Sequence, residues 1–195
     1  MPIGLPRNAK ILIIGDSYVE GVGSNSGGWA RAFSDSHPEC QVRIDGKGGR
    51  TSDDVKRRIG DYRSFRPTNI IVQVGLNDSR YRPSKQAHEL SPTDFRSNIR
   101  DIFRDGKNMG AFLVAFVGLS RIDEQKTDPY KKDKIYRNEY VLLYNSILKA
   151  VASQPGGLFV QPPDLVELKE LSDGLHPSEL GHASIYSAVS SALGG

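Results

Sequence analysis

Cysteine is almost absent from this chain, which has Cys40 as its single example among 195 residues. A lone cysteine excludes an internal disulfide and any site built from several cysteine ligands. None of the four histidines has metal-ligand spacing to another histidine or to Cys40. The sequence therefore predicts no metal centre, and Cys40 is expected to be a plain buried or half-buried thiol.

Long apolar runs are also lacking. The first one, Ile11–Ile14, is shorter than the roughly 7 to 15 residues of a signal-peptide core and far shorter than a membrane span. We therefore expect neither a leader nor a membrane span, and a cytoplasmic protein.

No large excess of one charge sign is present either, since the net charge is +3 and basic and acidic residues alternate in nearly every window. The absence of a continuous basic stripe argues against nucleic-acid binding. Internal repeats and low-complexity linkers are missing as well, and 37% of the residues are hydrophobic. These features predict one domain over residues 1–195.

Five short apolar runs rich in β-branched residues predict strands: Lys10–Gly15, Gln41–Ile44, Asn69–Gly75, Ala111–Gly118 and Gly157–Val160. Segments with helical spacing lie between them. Strands that alternate with helices imply right-handed crossovers and a parallel sheet covered on both faces. The predicted fold is α/β, a three-layer α/β/α flavodoxin-like sandwich with a five-stranded parallel sheet.

Three helices are predicted from apolar residues at helical spacing, namely Phe95, Ile99, Ile102 and Phe103; Tyr140, Tyr144, Ile147, Leu148 and Val151; and Ala183, Ile185, Ala188, Val189 and Ala192. Ser91 and Pro92 give the first of them a capping serine and a proline at its first position. The connections 78–91 and 120–134 are the longest, and we expect them to shape the mouth of a site.

Ser17 follows a predicted strand that stops at Gly15. Open α/β sheets place their sites at the carboxyl ends of strands, so Ser17 is a candidate nucleophile. The alternative is that Ser17 caps the next helix. Asp16 would be either a competing acid or a turn residue that binds nearby backbone N–H groups, and we favour the turn role.

Asp173 and His176 are three residues apart in the loop before the predicted last helix. Across one turn, the carboxylate would hold the imidazole Nδ1–H while Nε2 faces a serine hydroxyl. His182 is expected to be partly exposed with a local hydrogen bond, and His37 and His88 lie in polar loops. The pair and the candidate nucleophile together indicate a serine hydrolase.

Asn77 lies in the turn that follows the third predicted strand. It would either stabilise the turn or donate Nδ2–H to a developing oxyanion. The glycine-rich turn 46–52 after the second strand would either cradle a phosphate or present the Gly49 N–H as a second oxyanion donor. In the second option, the Gly49 N–H is accessible as a donor because glycine has no Cβ that would block close approach.

Four separated blocks give the chain a resemblance to the SGNH hydrolases, also called GDSL-type esterases and lipases, over roughly residues 10–192. The blocks are Gly15-Asp16-Ser17, Gly48-Gly49-Arg50-Thr51-Ser52, Gly75-Leu76-Asn77-Asp78 and Asp173-Gly174-Leu175-His176. Gly27-Gly28-Trp29 and the stretch 181–186 are similar to compact bacterial members. Two departures are Tyr18, where the motif has Leu, and Ile44-Asp45, where many members have Asn; they bear on pocket shape.

The resemblance implies a catalytic triad of Ser17, His176 and Asp173, and an oxyanion hole formed by Ser17 N–H, Gly49 N–H and the Asn77 side chain. It implies hydrolysis of a small-molecule carboxylic ester, with short-chain acyl or acetyl esters expected, through an acyl-serine intermediate and without a cofactor. An acyltransferase or thioesterase would use the same intermediate. A non-catalytic flavodoxin-like domain that binds phosphate or nucleotide would leave Asn77 and the Asp173–His176 pair unexplained.

Basic residues are numerous in the two long connections: Arg80, Arg82, Lys85, Arg121, Lys126, Lys131, Lys132 and Lys134. A cationic rim would favour anionic or polar esters over neutral fat. The alternative is that these side chains form solvated surface.

Overall fold

The computed structural model of the protein describes residues 4–161 and 170–194. Its main sheet contains five parallel strands in the order β2-β1-β3-β6-β7. These strands are β1 Lys10–Gly15, β2 Gln41–Gly46, β3 Asn69–Gln73, β6 Leu113–Val117 and β7 Gly157–Val160. The order and the parallel pairing confirm the predicted flavodoxin-like sheet.

The helices are α1 Ser17–Glu20, α2 Gly28–Asp35, α3 Ser52–Ile59, α4 Leu76–Ser79, α5 Pro92–Asn108, α6 Glu124–Thr127, α7 Asn138–Ala152 and α8 Glu179–Leu193. Helices α3, α5 and α7 pack side by side in one layer, and α2 packs against α8 in the other. The central strands are apolar and buried along almost their whole length, as expected for a sheet covered on both faces. Within the described ranges, every helix is too short or too polar to traverse a lipid bilayer.

Strand β1 lies between β2 and β3, and all three strands end at the same edge. Gly15 is required at the end of β1, since an added Cβ would lie 2.1 Å from the carbonyl oxygen of Gln73. The chain therefore passes directly beside β3 before it turns into α1.

Predicted helix boundaries agree with the structure where a cap is present. Ser91 caps α5 by accepting the Asp94 N–H at 3.1 Å, and Ser178 caps α8. The predicted apolar face of α8 is partly wrong, because Ala183 is exposed while Ile185, two residues later and about half a turn away, is buried.

The two long connections contain structure of their own. Strands β4 Tyr81–Arg82 and β5 Ala87–His88 form an antiparallel hairpin, and α6 lies in the connection after β6. An isolated bridge joins Tyr81 to Ile135, so the two connections are linked to each other. Residues 118–137 are called the β6–α7 loop below.

Candidate active site

Ser17 is the first residue of α1 and is 5% exposed. The residue that caps α1 is Asp16, whose Oδ1 accepts the Tyr18 N–H at 3.0 Å. The cap interpretation of Ser17 is therefore wrong, and the turn role of Asp16 is confirmed. Burial raises the pKa of the Asp16 carboxyl to about 7, although the Tyr18 N–H opposes that shift.

Asp173 and His176 form the pair that their spacing predicts. The His176 Nδ1 lies 2.8 Å from Asp173 Oδ2, and Asp173 Oδ1 accepts the backbone N–H groups of Leu175 at 2.9 Å and His176 at 2.8 Å. Partial burial would raise the pKa of Asp173, but the hydrogen bonds from His176, Tyr130 and Leu175 outweigh it and hold that pKa well below its usual range. The carboxylate is therefore ionised and fixed in orientation.

Tyr18 joins the first and last segments of the site. Its hydroxyl donates to the Leu175 carbonyl oxygen at 2.7 Å, and its ring centroid lies 6.5 Å from that of His176. The residue after Ser17 thus contacts both the residue before His176 and His176 itself. The departure from the family motif at Tyr18 forms this link.

The turn after β2 lies next to Ser17. Gly48 N–H donates to Glu20 Oε2 in α1, and a Cβ on Gly48 would lie 3.8 Å from Ser17 Cβ. Gly49 has φ +83°, and a Cβ there would meet no atom within 4 Å. L side chains rarely adopt that backbone conformation, so glycine is favoured here by its φ, and close approach of an oxyanion to its N–H stays a prediction.

Asp45 stands where many family members have Asn, and it anchors this turn. Its carboxylate pairs with Arg50 at 2.8 Å and with Arg58 at 3.0 Å, while its carbonyl accepts a second hydrogen bond from Arg50 at 2.9 Å. Arg50, the residue after Gly49, is thereby bonded to the end of β2.

Asn77 lies in α4, which follows β3, and is 8% exposed. Its Nδ2 donates to the Arg50 carbonyl oxygen at 3.1 Å, so the side chain links α4 to the Gly49 turn. A primary amide has two N–H donors, and this contact uses one of them. The local turn bond considered as an alternative for Asn77 is not the contact that the structure shows.

Asp78, the residue after Asn77, links α4 to the start of α3. Its carboxylate accepts Ser52 N–H at 2.9 Å and Ser52 Oγ–H at 2.6 Å, at the start of α3. Burial raises the pKa of Asp78 to about 6, with the Ser52 bonds opposing the shift. The segments that contain Asn77 and Gly49 are therefore held together by buried hydrogen bonds.

The remaining histidines have structural partners. His182 is buried, not partly exposed, and its ring reaches Trp29 N and Val22 O, both distant in sequence. His37 stacks on Phe33. His88 Nδ1 lies 2.7 Å from the Ser79 carbonyl oxygen. Cys40 is half-buried.

Acidic residues pair with four of the eight basic residues in the predicted cationic rim. Glu89 pairs with Arg80 and Arg82 at 2.7 Å and with Lys85 at 3.3 Å. Asp133 takes a second bond from Arg82 at 2.7 Å. Lys126 pairs with Asp123. The exposed Lys85 and Lys126 agree with the surface interpretation, whereas Arg80 is buried and is not solvated surface.

Sequence reasoning missed two tyrosines of the β6–α7 loop. Tyr130 donates its hydroxyl to Asp173 Oδ2 at 2.7 Å, and the Tyr136 hydroxyl lies 3.5 Å from Asn77 Oδ1. No local pattern marks either residue, because each contact spans more than forty positions of the chain.

A flavodoxin-like sandwich with a serine after its first strand and an Asp–His pair before its last helix has the architecture of a hydrolase with its site at the carboxyl edge of the sheet. The model of the GDSL-like lipase/acylhydrolase family matches residues 13–184. The chain belongs to this family and is an ester-hydrolysing enzyme. Curated protein sequences give no match.

Solved structures of hydrolases, among them esterases, share the fold. Axe2, an acetylxylan esterase from Geobacillus stearothermophilus, is 21% identical, with a TM-score of 0.76 over 100% of this chain and 97% of Axe2. LAE5, described as an alpha/beta hydrolase from the metagenome of Lake Arreo, is 19% identical with a TM-score of 0.76, covering 97% of both chains. The psychrotrophic esterase EstA from Pseudoalteromonas sp. is 16% identical with a TM-score of 0.73, covering 95% of this chain and 97% of EstA.

Proposed function

We propose that the protein is a serine esterase with a Ser17–His176–Asp173 triad. The main supporting observation is the 2.8 Å contact between His176 and Asp173 on a loop that Tyr18, the neighbour of Ser17, binds directly. Asp173 fixes the imidazole tautomer so that Nε2 is the basic nitrogen.

In this mechanism the His176 Nε2 removes the Ser17 hydroxyl proton as Oγ attacks the ester carbonyl carbon. The negative charge on the resulting tetrahedral oxyanion is stabilised by Ser17 N–H, Gly49 N–H and the Asn77 amide. The carbon–oxygen bond to the alcohol then breaks, and the imidazolium gives its proton to the departing oxygen. Water, deprotonated by His176, then attacks the acyl-serine. The bond between the acyl carbon and Ser17 Oγ breaks, the imidazolium returns its proton to Oγ, and the acid is released.

The proposed substrates are acetyl or other short-chain acyl esters of a polar alcohol. Two observations support this choice. The connections beside the proposed triad are polar and tied by ion pairs, as at Arg82 and Asp133. Axe2, which shares the fold, is an acetylxylan esterase. Because Glu89 and Asp133 hold Arg80, Arg82 and Lys85 in ion pairs, a polar uncharged ester is proposed in preference to an anionic one.

The test is labelling with a serine-reactive fluorophosphonate, peptide mapping, and turnover of acetyl, butyryl and longer esters, including an acetylated oligosaccharide. We expect the label on Ser17 and the highest kcat/KM for acetyl esters. A label at another serine, or no label with intact folded protein, contradicts the triad. Preference for transfer to an added alcohol over water would make the protein an acyltransferase instead.

A further inference from the structure

Tyr130 contacts the Asp173–His176 pair from outside the family blocks. Its hydroxyl donates to Asp173 Oδ2 at 2.7 Å, the same oxygen that lies 2.8 Å from His176 Nδ1. The Tyr130 ring also meets the His176 ring edge-on, with centroids 6.4 Å apart. One side chain therefore touches both members of the pair.

The β6–α7 loop presents Tyr130 in a fixed position. Tyr130 N–H donates to the Lys134 carbonyl oxygen at 2.8 Å, and its ring packs edge-on against Tyr136 at 5.8 Å. The same loop supports the segment that contains the pair, because Asp123 N–H donates to the Gly174 carbonyl oxygen at 2.9 Å. The hydroxyl is thus held against the carboxylate by structure on both sides.

With Tyr130, the Asp173 carboxylate is surrounded by four donors. Two backbone N–H groups contact Oδ1, and the tyrosine hydroxyl and imidazole contact Oδ2. A carboxylate has about four lone-pair sites, so this set leaves no room for rotation without loss of a charge-assisted bond. Tyr130 also shares the negative charge of Oδ2 with the imidazole.

We propose that Tyr130 is a positioning residue of the esterase, which locks the Asp173 carboxylate toward His176 and moderates its pull on the imidazole proton. This inference rests on the proposed triad. It assigns a function in the reaction to a residue of the β6–α7 loop, outside the four sequence blocks.

Removal of the hydroxyl has two effects that can be measured separately. Loosening the carboxylate lowers kcat, by about tenfold for the loss of one hydrogen bond to a charged group. At the same time, Oδ2 interacts more strongly with the protonated ring, which is the inactive form in the first step. The acidic limb of the kcat/KM profile therefore moves to higher pH.

Several titratable groups of the described residues surround His176: Asp173 on its own loop, Asp16 and Tyr18 after β1, Tyr130 on the β6–α7 loop, and His182 on α8. Tyr130→Phe changes only one of them. Lys126, which packs on Gly174, is in an ion pair with Asp123 and is also unchanged.

The experiment compares wild type, Tyr130→Phe and the control Tyr186→Phe, which removes a hydroxyl on α8 near Ser36. With 4-nitrophenyl acetate we expect Tyr130→Phe to lower kcat about tenfold with KM unchanged, and to shift the acidic limb upward. Tyr186→Phe should match wild type. A superimposable pH profile, or a raised KM with intact kcat, overturns the positioning role.

A double-mutant cycle with Asp173→Ala provides the second readout. If Tyr130 acts through Asp173, adding Tyr130→Phe to Asp173→Ala costs no further activity. Full additivity contradicts the inference even if both single variants are impaired. A wild-type protein without esterase activity or fluorophosphonate labelling would instead refute the proposed function, so the two failures are distinct.

Discussion

The Tyr18 hydroxyl donates a 2.7 Å hydrogen bond to the carbonyl oxygen of Leu175. These two residues are 157 positions apart, and each is adjacent in sequence to a member of the proposed triad. The bond therefore fixes the distance between the segment that contains Ser17 and the segment that contains His176.

Tyr18→Phe removes this bond and leaves the buried Leu175 carbonyl without its donor. We expect a loss of about 1 to 2 kcal/mol in the free energy of unfolding and a fall in kcat of about tenfold. Urea unfolding and steady-state kinetics measure the two effects.

Tyr144→Phe is the matched control, because Tyr144 is another buried tyrosine whose hydroxyl donates to a backbone carbonyl, that of Leu90. It should lose similar stability and keep its kcat. Equal activity losses in both variants would show that Tyr18 acts only through stability.

Ser17→Ala tests the nucleophile. We expect kcat to fall by about 10³-fold or more while circular dichroism and the unfolding midpoint stay close to wild type, because one hydroxyl is lost from a residue that is not the helix cap. Ser146→Ala, on the exposed face of α7, is the control and should be fully active. Near-normal turnover by the Ser17 variant would exclude the acyl-serine mechanism.

Asn77→Ala tests the oxyanion hole. Loss of one such donor lowers kcat by about 10²- to 10³-fold in comparable sites, with little change in KM. The control is Asn145→Ala. The Asn145 side-chain oxygen accepts the Leu119 N–H and its Nδ2 donates to the Leu119 carbonyl oxygen, so this amide has a structural function. It should lower the unfolding midpoint and leave kcat near wild type, whereas the opposite ranking would contradict the assignment.

Asp16→Asn tests the buried carboxyl. The pKa of Asp16 is about 7 in the folded protein, against an ordinary value of 3.8, so unfolding releases a proton between these pH values. Titration of Asp16 therefore lowers the free energy of unfolding as pH rises from about 4 to about 7, by up to roughly 4 kcal/mol.

In Asp16→Asn that decrease should become smaller, while the amide oxygen still accepts the Tyr18 N–H. Asp78, with its pKa raised to about 6, leaves part of the slope in place. Urea unfolding at pH 4, 5.5 and 7 measures the change, with the exposed Asp35→Asn as control. Parallel curves for wild type and Asp16→Asn would contradict the buried, protonation-dependent environment.

The five strands and the parallel sheet could be predicted from the sequence because fully buried parallel strands, such as β1, give uninterrupted apolar runs. Helix α5 was predicted with its start because Ser91 and Pro92 form a local signal. The contact between Asp173 and His176 could also be predicted, since the two residues are only three positions apart in the sequence.

The contacts of Tyr18 and Tyr130 could not be predicted in this way. Their partners are 157 and 43 residues away, so no short-range pattern records them. Ala183 was misplaced for a related reason, since alanine is small enough for either face of α8 and only packing selects the buried one. The ion pairs of Glu89 likewise depend on how the β4–β5 hairpin folds.

The proposed nucleophile lies beyond β1, an interior strand of the sheet, whereas its proposed base precedes α8. Both neighbours of β1 in the sheet come from later parts of the chain. During synthesis, a ribosome that has released only the first half of the polypeptide holds Ser17 without its base. The proposed active site is therefore completed only when the segment that contains His176 docks beside Tyr18, and a polypeptide without that segment is not expected to hydrolyse esters.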